Sequence, residues 1–202
     1  MLNQHGRRRS TEFSARRTPV LIAAFALAVT MGALADTPGS CSYRQASISL
    51  PAIQVSSKEV GHPWRALYGY CLRGWQRFVI HQDWALSYLD AEPVGSDPGG
   101  TGVGLGTDLF VRWHPDWQPS LLPYLDAGVG VQYAAGTSFP ADATRWNFTV
   151  HGGVGWLVPV HDDRQLNLSL RYLHISNGSL GDKNSGYDVI HLVLGLRWGH
   201  ER

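Results

Sequence analysis

Segments of about ten residues in which apolar and polar side chains alternate recur between turn signals along most of this chain. They lie near residues 44–54, 62–73, 76–89, 101–113, 121–134, 145–158, 165–176 and 187–198. A period of two belongs to a strand, because successive side chains point to opposite faces. Helical periodicity is hard to find in any of them. Eight such strands predict an all-β fold, and the even number suits an antiparallel barrel whose sheet closes on itself.

The composition of the two parities narrows the choice of barrel. Val103, Leu105, Leu109, Val111 and Trp113 alternate with Gly102, Gly104, Gly106, Asp108 and Arg112. Leu125, Ala127, Val129, Val131 and Tyr133 alternate with Asp126, Gly128, Gly130 and Gln132, and Trp146, Phe148, Val150, Val154 and Trp156 with Asn147, Thr149, His151 and Gly153. A soluble barrel turns its apolar parity inward. A membrane barrel turns it out to lipid, carries aromatic residues at its interfaces and fills its interior with polar and small side chains. The polar parity here is too rich in glycine for a water-exposed sheet, and aromatic residues sit at strand ends. The expectation is therefore an eight-stranded antiparallel transmembrane β-barrel, the closed form in which a sheet can cross lipid with its backbone satisfied.

Residues 1–35 read as an export signal, with Arg7, Arg8, Arg9, Arg16 and Arg17 ahead of the apolar run Val20–Thr30 and a small-x-small site at Ala33-Leu34-Ala35. The barrel is then expected to occupy residues 36–202. No other stretch reaches the roughly 20 apolar residues of a spanning helix. Removing the five arginines leaves the remainder net acidic, which excludes nucleic acid as a partner. Cys41 and Cys71 both lie in the exported part, where a disulfide is permitted by compartment; a bond and two free thiols both remain open.

The chemistry is concentrated in the last hairpin. His174 and Ser176, two apart, project from the same face and end an apolar stripe running back through Tyr172, Leu170, Leu168 and Leu166. On the returning strand Asp188 begins a second stripe through Ile190, Leu192, Leu194, Leu196 and Trp198. If the stripes share a surface, His174 faces Asp188 directly or diagonally, at Cβ separations of roughly 4.5–8 Å. A hydroxyl beside an imidazole, with a carboxylate to fix the imidazole tautomer, is how serine hydrolases activate a nucleophile. Among nine histidines and many serines a His-x-Ser pair arises easily by chance. The third group on the same parity, at the same end of one hairpin, argues against chance.

With both termini periplasmic, the longer connections 91–100, 136–144 and 177–186 are extracellular, and the three residues fall at the outer end of the barrel on its lipid-facing surface. The run His174-Ile175-Ser176-Asn177-Gly178, followed by Asn184-Ser185-Gly186 and an acid at Asp188, resembles the signature of the lipid A 3-O-deacylase (PagL-type) family of Gram-negative outer-membrane esterases. Pro123 to Val131 is similar to that family's fifth strand, and the resemblance covers Trp75 to Trp198.

The resemblance implies hydrolysis of the ester-linked hydroxyacyl chain at position 3 of lipid A, with no cofactor and no metal. His174 would be the general base, Ser176 the nucleophile, Asp188 the group that orients the imidazole, and Asn177 with the backbone N–H of Gly178 the support for an oxyanion. The expected partners are lipopolysaccharide and the outer membrane, with a homodimer left open. The family usually carries Glu where this chain has Asp188; the shorter side chain withdraws the carboxylate by about one C–C bond, so reduced activity is expected unless the register compensates. Gly199 to Arg202 also extend beyond the aromatic Trp198 on which barrels commonly end. The rival readings are a non-enzymatic barrel serving adhesion or envelope integrity, and a lipid A acyltransferase. His81, His151 and His191 are expected to be interior or interface polar groups, Arg112, Arg171, Arg197, Asp108 and Asp126 an ion-paired lumen, and Arg145 and Lys183 solvated charges of the rim, with contact to lipid A phosphates as the alternative.

Overall fold

The computed structural model describes residues 41–55, 61–93, 98–115, 122–140, 143–181 and 186–200. The expected export signal, Asn184, Ser185 and Lys183 lie outside these residues. Among the described residues there are eight strands: β1 (Ser42–Gln54), β2 (Trp64–Trp75), β3 (Phe78–Ala91), β4 (Gly100–Trp113), β5 (Leu122–Ala135), β6 (Trp146–His161), β7 (Arg164–Ser176) and β8 (Tyr187–His200). Each pairs antiparallel with the next, and β8 returns to pair with β1, closing the barrel. Where the sequence suggests an end at Trp198, β8 runs on through Gly199 opposite Tyr43. Two connections at one end are two-residue turns, Gln76-Arg77 and Asp162-Asp163, and segment 114–121 is the third there; segments 55–63, 92–99, 136–145 and 177–186 join the strands at the other end.

Burial follows the alternation with the sign of a membrane barrel. Leu86, Leu105 and Val129 are 59–60% exposed on the outer surface, while Asp108 and Arg112 inside are fully buried. In lipid this arrangement is the favourable one, because a cationic side chain on the lipid face near the midplane costs about 2–4 kcal/mol. Gln82 is a polar residue on the outward parity of β3, yet it is buried beneath its neighbours. Its amide donates to Thr107 Oγ1 at 2.8 Å and its carbonyl accepts from Tyr70 Oη at 2.9 Å, so neither end of the buried side chain is left unsatisfied.

The interior is a network of ion pairs. Arg65 meets Asp108 at 2.7 Å, Arg112 grips both oxygens of Asp126 at 2.8 and 2.9 Å, and Arg171 bridges Asp83 at 3.2 Å and Asp126 at 3.5 Å. Arg197 lies over the Tyr43 ring, 3.3 Å from its centroid. His81, His151 and His191 are buried within this polar lumen, as expected. The glycines of the polar parity make room for it: a Cβ on Gly130 would stand 2.2 Å from Asp108 Oδ1, and one on Gly128 2.4 Å from the Phe110 ring. Removing one partner of a buried pair strands the other's charge, at about 3–5 kcal/mol. Asp108→Ala, which leaves Arg65 unpaired, should lower the urea midpoint for loss of the compact electrophoretic form; an unchanged midpoint would contradict the role given to this pair.

Cys41 and Cys71 are joined by a disulfide near the short-turn end, with Cα atoms 5.9 Å apart. The opposite end is plugged differently. There the inward positions turn apolar, and Leu89, Ala91, Ala134, Phe139, Leu173, Ile175, Tyr187 and Val189 form a buried cluster. Phe139 packs edge-on against Tyr187, whose hydroxyl donates to the Gly61 carbonyl. This plug backs the last residues of β7 and the first of β8 from inside.

Candidate functional site

β7 and β8 are in a register that sets His174 directly opposite Asp188, with Ile175 opposite Tyr187 beside them. Ile175 and Tyr187 enter the inner plug, so the pleat turns His174 and Asp188 outward to the lipid-facing surface. Both outward side chains are partly covered, at 32% and 26% exposure. His174 Nδ1 lies 2.7 Å from Asp188 Oδ1. A carboxylate can only accept, so Nδ1 carries the proton and, in the neutral ring, Nε2 is the atom left with a lone pair. The short side chain of Asp188 reaches because the pair is direct rather than diagonal.

Ser176 follows on the same face two residues beyond His174, partly exposed and paired across β6 with Phe148. A tyrosine also belongs to the site. Tyr172, on the outward face one pleat before His174, donates its hydroxyl to the same Asp188 Oδ1 that receives His174. The sequence shows Tyr172 only as part of the apolar stripe; its contact depends on the register, which makes Tyr172 and Asp188 diagonal neighbours across the hairpin.

Immediately after Ser176 the chain turns sharply. Asn177 is fully buried, its carbonyl accepts from Leu180 N at 3.1 Å and its side-chain Oδ1 from Ser179 N at 3.0 Å. Gly178 and Ser179 both have positive φ, 59° and 62°, the pattern of a type I′ turn, with Asn177 supplying an Asx bond at its start. Gly178 is therefore a position where a side chain is strained by backbone and by contact, since a Cβ there would lie 3.0 Å from the Phe148 ring. Gly178→Ala is expected to shift this turn, lowering any reaction at Ser176 while leaving the barrel folded; a variant with unchanged activity would show that the turn does not position the serine. Gly186 lies against the imidazole, where a Cβ would stand 3.0 Å from His174 Cε1. Arg145 is exposed at the same end. Among the described residues no group of three or more His, Cys, Asp or Glu side chains is arranged to hold a metal ion.

Fold and site together define a small membrane-type β-barrel that presents a histidine–carboxylate pair and a serine to its lipid-facing surface. A family model described as Lipid A 3-O-deacylase (PagL) matches residues 61–197, beginning earlier than the resemblance from Trp75 onward. The chain belongs to that family. It is 32% identical over 122 residues to lipid A deacylase PagL of Bordetella bronchiseptica, a match covering 59% of this chain and 62% of that relative's length. The crystal structure of the outer membrane enzyme PagL superposes with a TM-score of 0.58 at 21% identity, covering 75% of this chain and 97% of that one. Neisserial surface protein A shares the fold at a TM-score of 0.50 and 16% identity, covering 81% of this chain and 98% of its own.

Proposed function

We propose that this protein is an outer-membrane esterase that removes the ester-linked 3-hydroxyacyl chain from position 3 of lipid A in the outer leaflet. Membership of the lipid A 3-O-deacylase family supports the substrate class. The observation that carries the chemistry is the 2.7 Å contact between His174 and Asp188 on the lipid-facing surface, one pleat from Ser176. A site in that position meets an acyl ester from the side, without lifting the substrate out of the bilayer.

In the proposed reaction Ser176 Oγ attacks the ester carbonyl while His174 Nε2 takes its proton, and Asp188 holds the imidazolium that forms. The tetrahedral oxyanion develops beside the Asn177–Leu180 turn, where the Gly178 N–H is the candidate donor. Asn177 serves mainly by tying down the turn, its Oδ1 being engaged by Ser179. Collapse breaks the bond to the sugar oxygen, which leaves as an alcohol with the proton from His174. Water, deprotonated by the same imidazole, then attacks the acyl-serine, and collapse frees the hydroxy fatty acid as the imidazolium returns the proton to Ser176 Oγ. No cofactor is needed for any of these steps.

The test is mass spectrometry of lipid A from Gram-negative cells with and without the protein. Loss of one hydroxyacyl mass is expected. An added acyl mass would mean transfer rather than hydrolysis, and an unchanged spectrum would favour the non-enzymatic barrel.

A further inference from the structure

We infer that Tyr172 is a positioning residue for this reaction, its phenol holding the Asp188 carboxylate in the orientation that His174 requires. The inference rests on the esterase reading above.

Asp188 has only two side-chain torsions, yet its carboxylate must meet a ring on the neighbouring strand at a surface otherwise covered by apolar side chains. Alone, that carboxylate would rotate among orientations, and only some present Oδ1 to His174 Nδ1. Two donors converge on Oδ1 in this structure: the imidazole from directly across the hairpin and the Tyr172 hydroxyl from the diagonal position. The phenol thus pins the oxygen on the side of the ring nitrogen. Its own ring belongs to the outward stripe of β7, bounded by Leu170 before it and His174 after it, so the hydroxyl reaches a fixed place without needing water.

A second effect follows from chemistry. At the edge of a hydrocarbon phase a carboxylate is costly unless its charge is met by donors. Before the imidazole becomes charged, the neutral His174 supplies one hydrogen bond and the tyrosine the other. The Asp188 carboxylate is thereby met by two donors and aimed in the resting site, and the attack on the ester begins from an arrangement that needs little reorganisation. Lipid-facing tyrosines are common on barrels as interfacial anchors; Tyr68 and Tyr88 are two on this surface, both more exposed than Tyr172. Tyr172 differs from an anchor in what its hydroxyl touches.

The experiment compares wild type, Tyr172→Phe and Tyr88→Phe, each refolded in detergent micelles with purified lipid A, by the rate of hydroxyacyl release. Because the phenylalanine retains the ring, Tyr172→Phe should stay in the compact electrophoretic form. Its kcat is expected to fall on the order of 10-fold, the scale of a lost hydrogen bond to a charged group, with KM within about twofold of wild type. Tyr88→Phe should match wild type in both. An unchanged kcat in Tyr172→Phe, a loss confined to KM, or a loss matched by unfolding of the barrel would each overturn the inference while leaving the esterase reading in place. A wild type that releases no hydroxyacyl chain would sink that reading, and this inference with it.

Discussion

Replacing His174 by alanine is expected to slow hydroxyacyl release by at least 10⁴-fold, and up to about 10⁶-fold, without unfolding the barrel. In serine hydrolases the base and the nucleophile act as one unit, so losing either costs nearly as much as losing both, on the order of 10⁶-fold in the best-studied case. Two structural facts make the variant a clean probe. His174 is on the outer surface and takes no part in the lumen network. The plug that holds the end of the hairpin is made by its inward neighbours, Leu173 and Ile175. Alanine at position 174 removes the ring and leaves those contacts alone. Rates would be followed by release of hydroxy fatty acid from purified lipid A, with the compact electrophoretic form as the control for folding. A variant of near wild-type rate would remove the imidazole from the reaction.

Asp188→Ala is expected to cost on the order of 10⁴-fold, less than loss of the base itself, because the carboxylate does not exchange protons with substrate. Its work is to fix Nδ1 as the protonated nitrogen and to stabilise the imidazolium. Asp188→Glu is the finer measurement. The family resemblance read in the sequence implies Glu at this position, which by itself would suggest that restoring it speeds the reaction. The structure points the other way. Asp188 is directly opposite His174 and already in contact at 2.7 Å, and it also receives the Tyr172 hydroxyl. An added methylene pushes the carboxylate past both donors unless the side chain folds back, and a misplacement near 1 Å can cost on the order of 100-fold. Glutamate should therefore be slower than wild type and faster than alanine. A Glu variant faster than wild type would mean that the present contact is not the productive one.

The barrel could be read almost in full from alternation, because a period of two records which face each residue takes whatever its partner. The polar parity was equally legible as a lumen, but its pairing was not. Arg112, Arg171 and Asp126 can be named from their parity, whereas Asp83 and Arg65 escape notice, since partners are chosen across the interior by strand tilt and stagger. The same reason explains the site. Parity alone gathers Tyr172, His174, Ser176 and Asp188 on one face; only the register decides that Asp188 is opposite His174 and diagonal to Tyr172, which turns an apparent anchor into a donor. The Asn177–Leu180 turn was partly visible in its Asn-Gly pair. Its consequence for Ser176 depends on two successive positive φ values, which a serine at position 179 does not advertise.

The most direct test of the central claim is the mass spectrum of lipid A from membranes holding equal amounts of folded wild type or Ser176→Ala. The account predicts that wild type alone strips one hydroxyacyl chain and that the variant leaves lipid A intact. Equal deacylation by the two would contradict it, since the hydroxyl on the outer face of β7 would then have no part in breaking the ester.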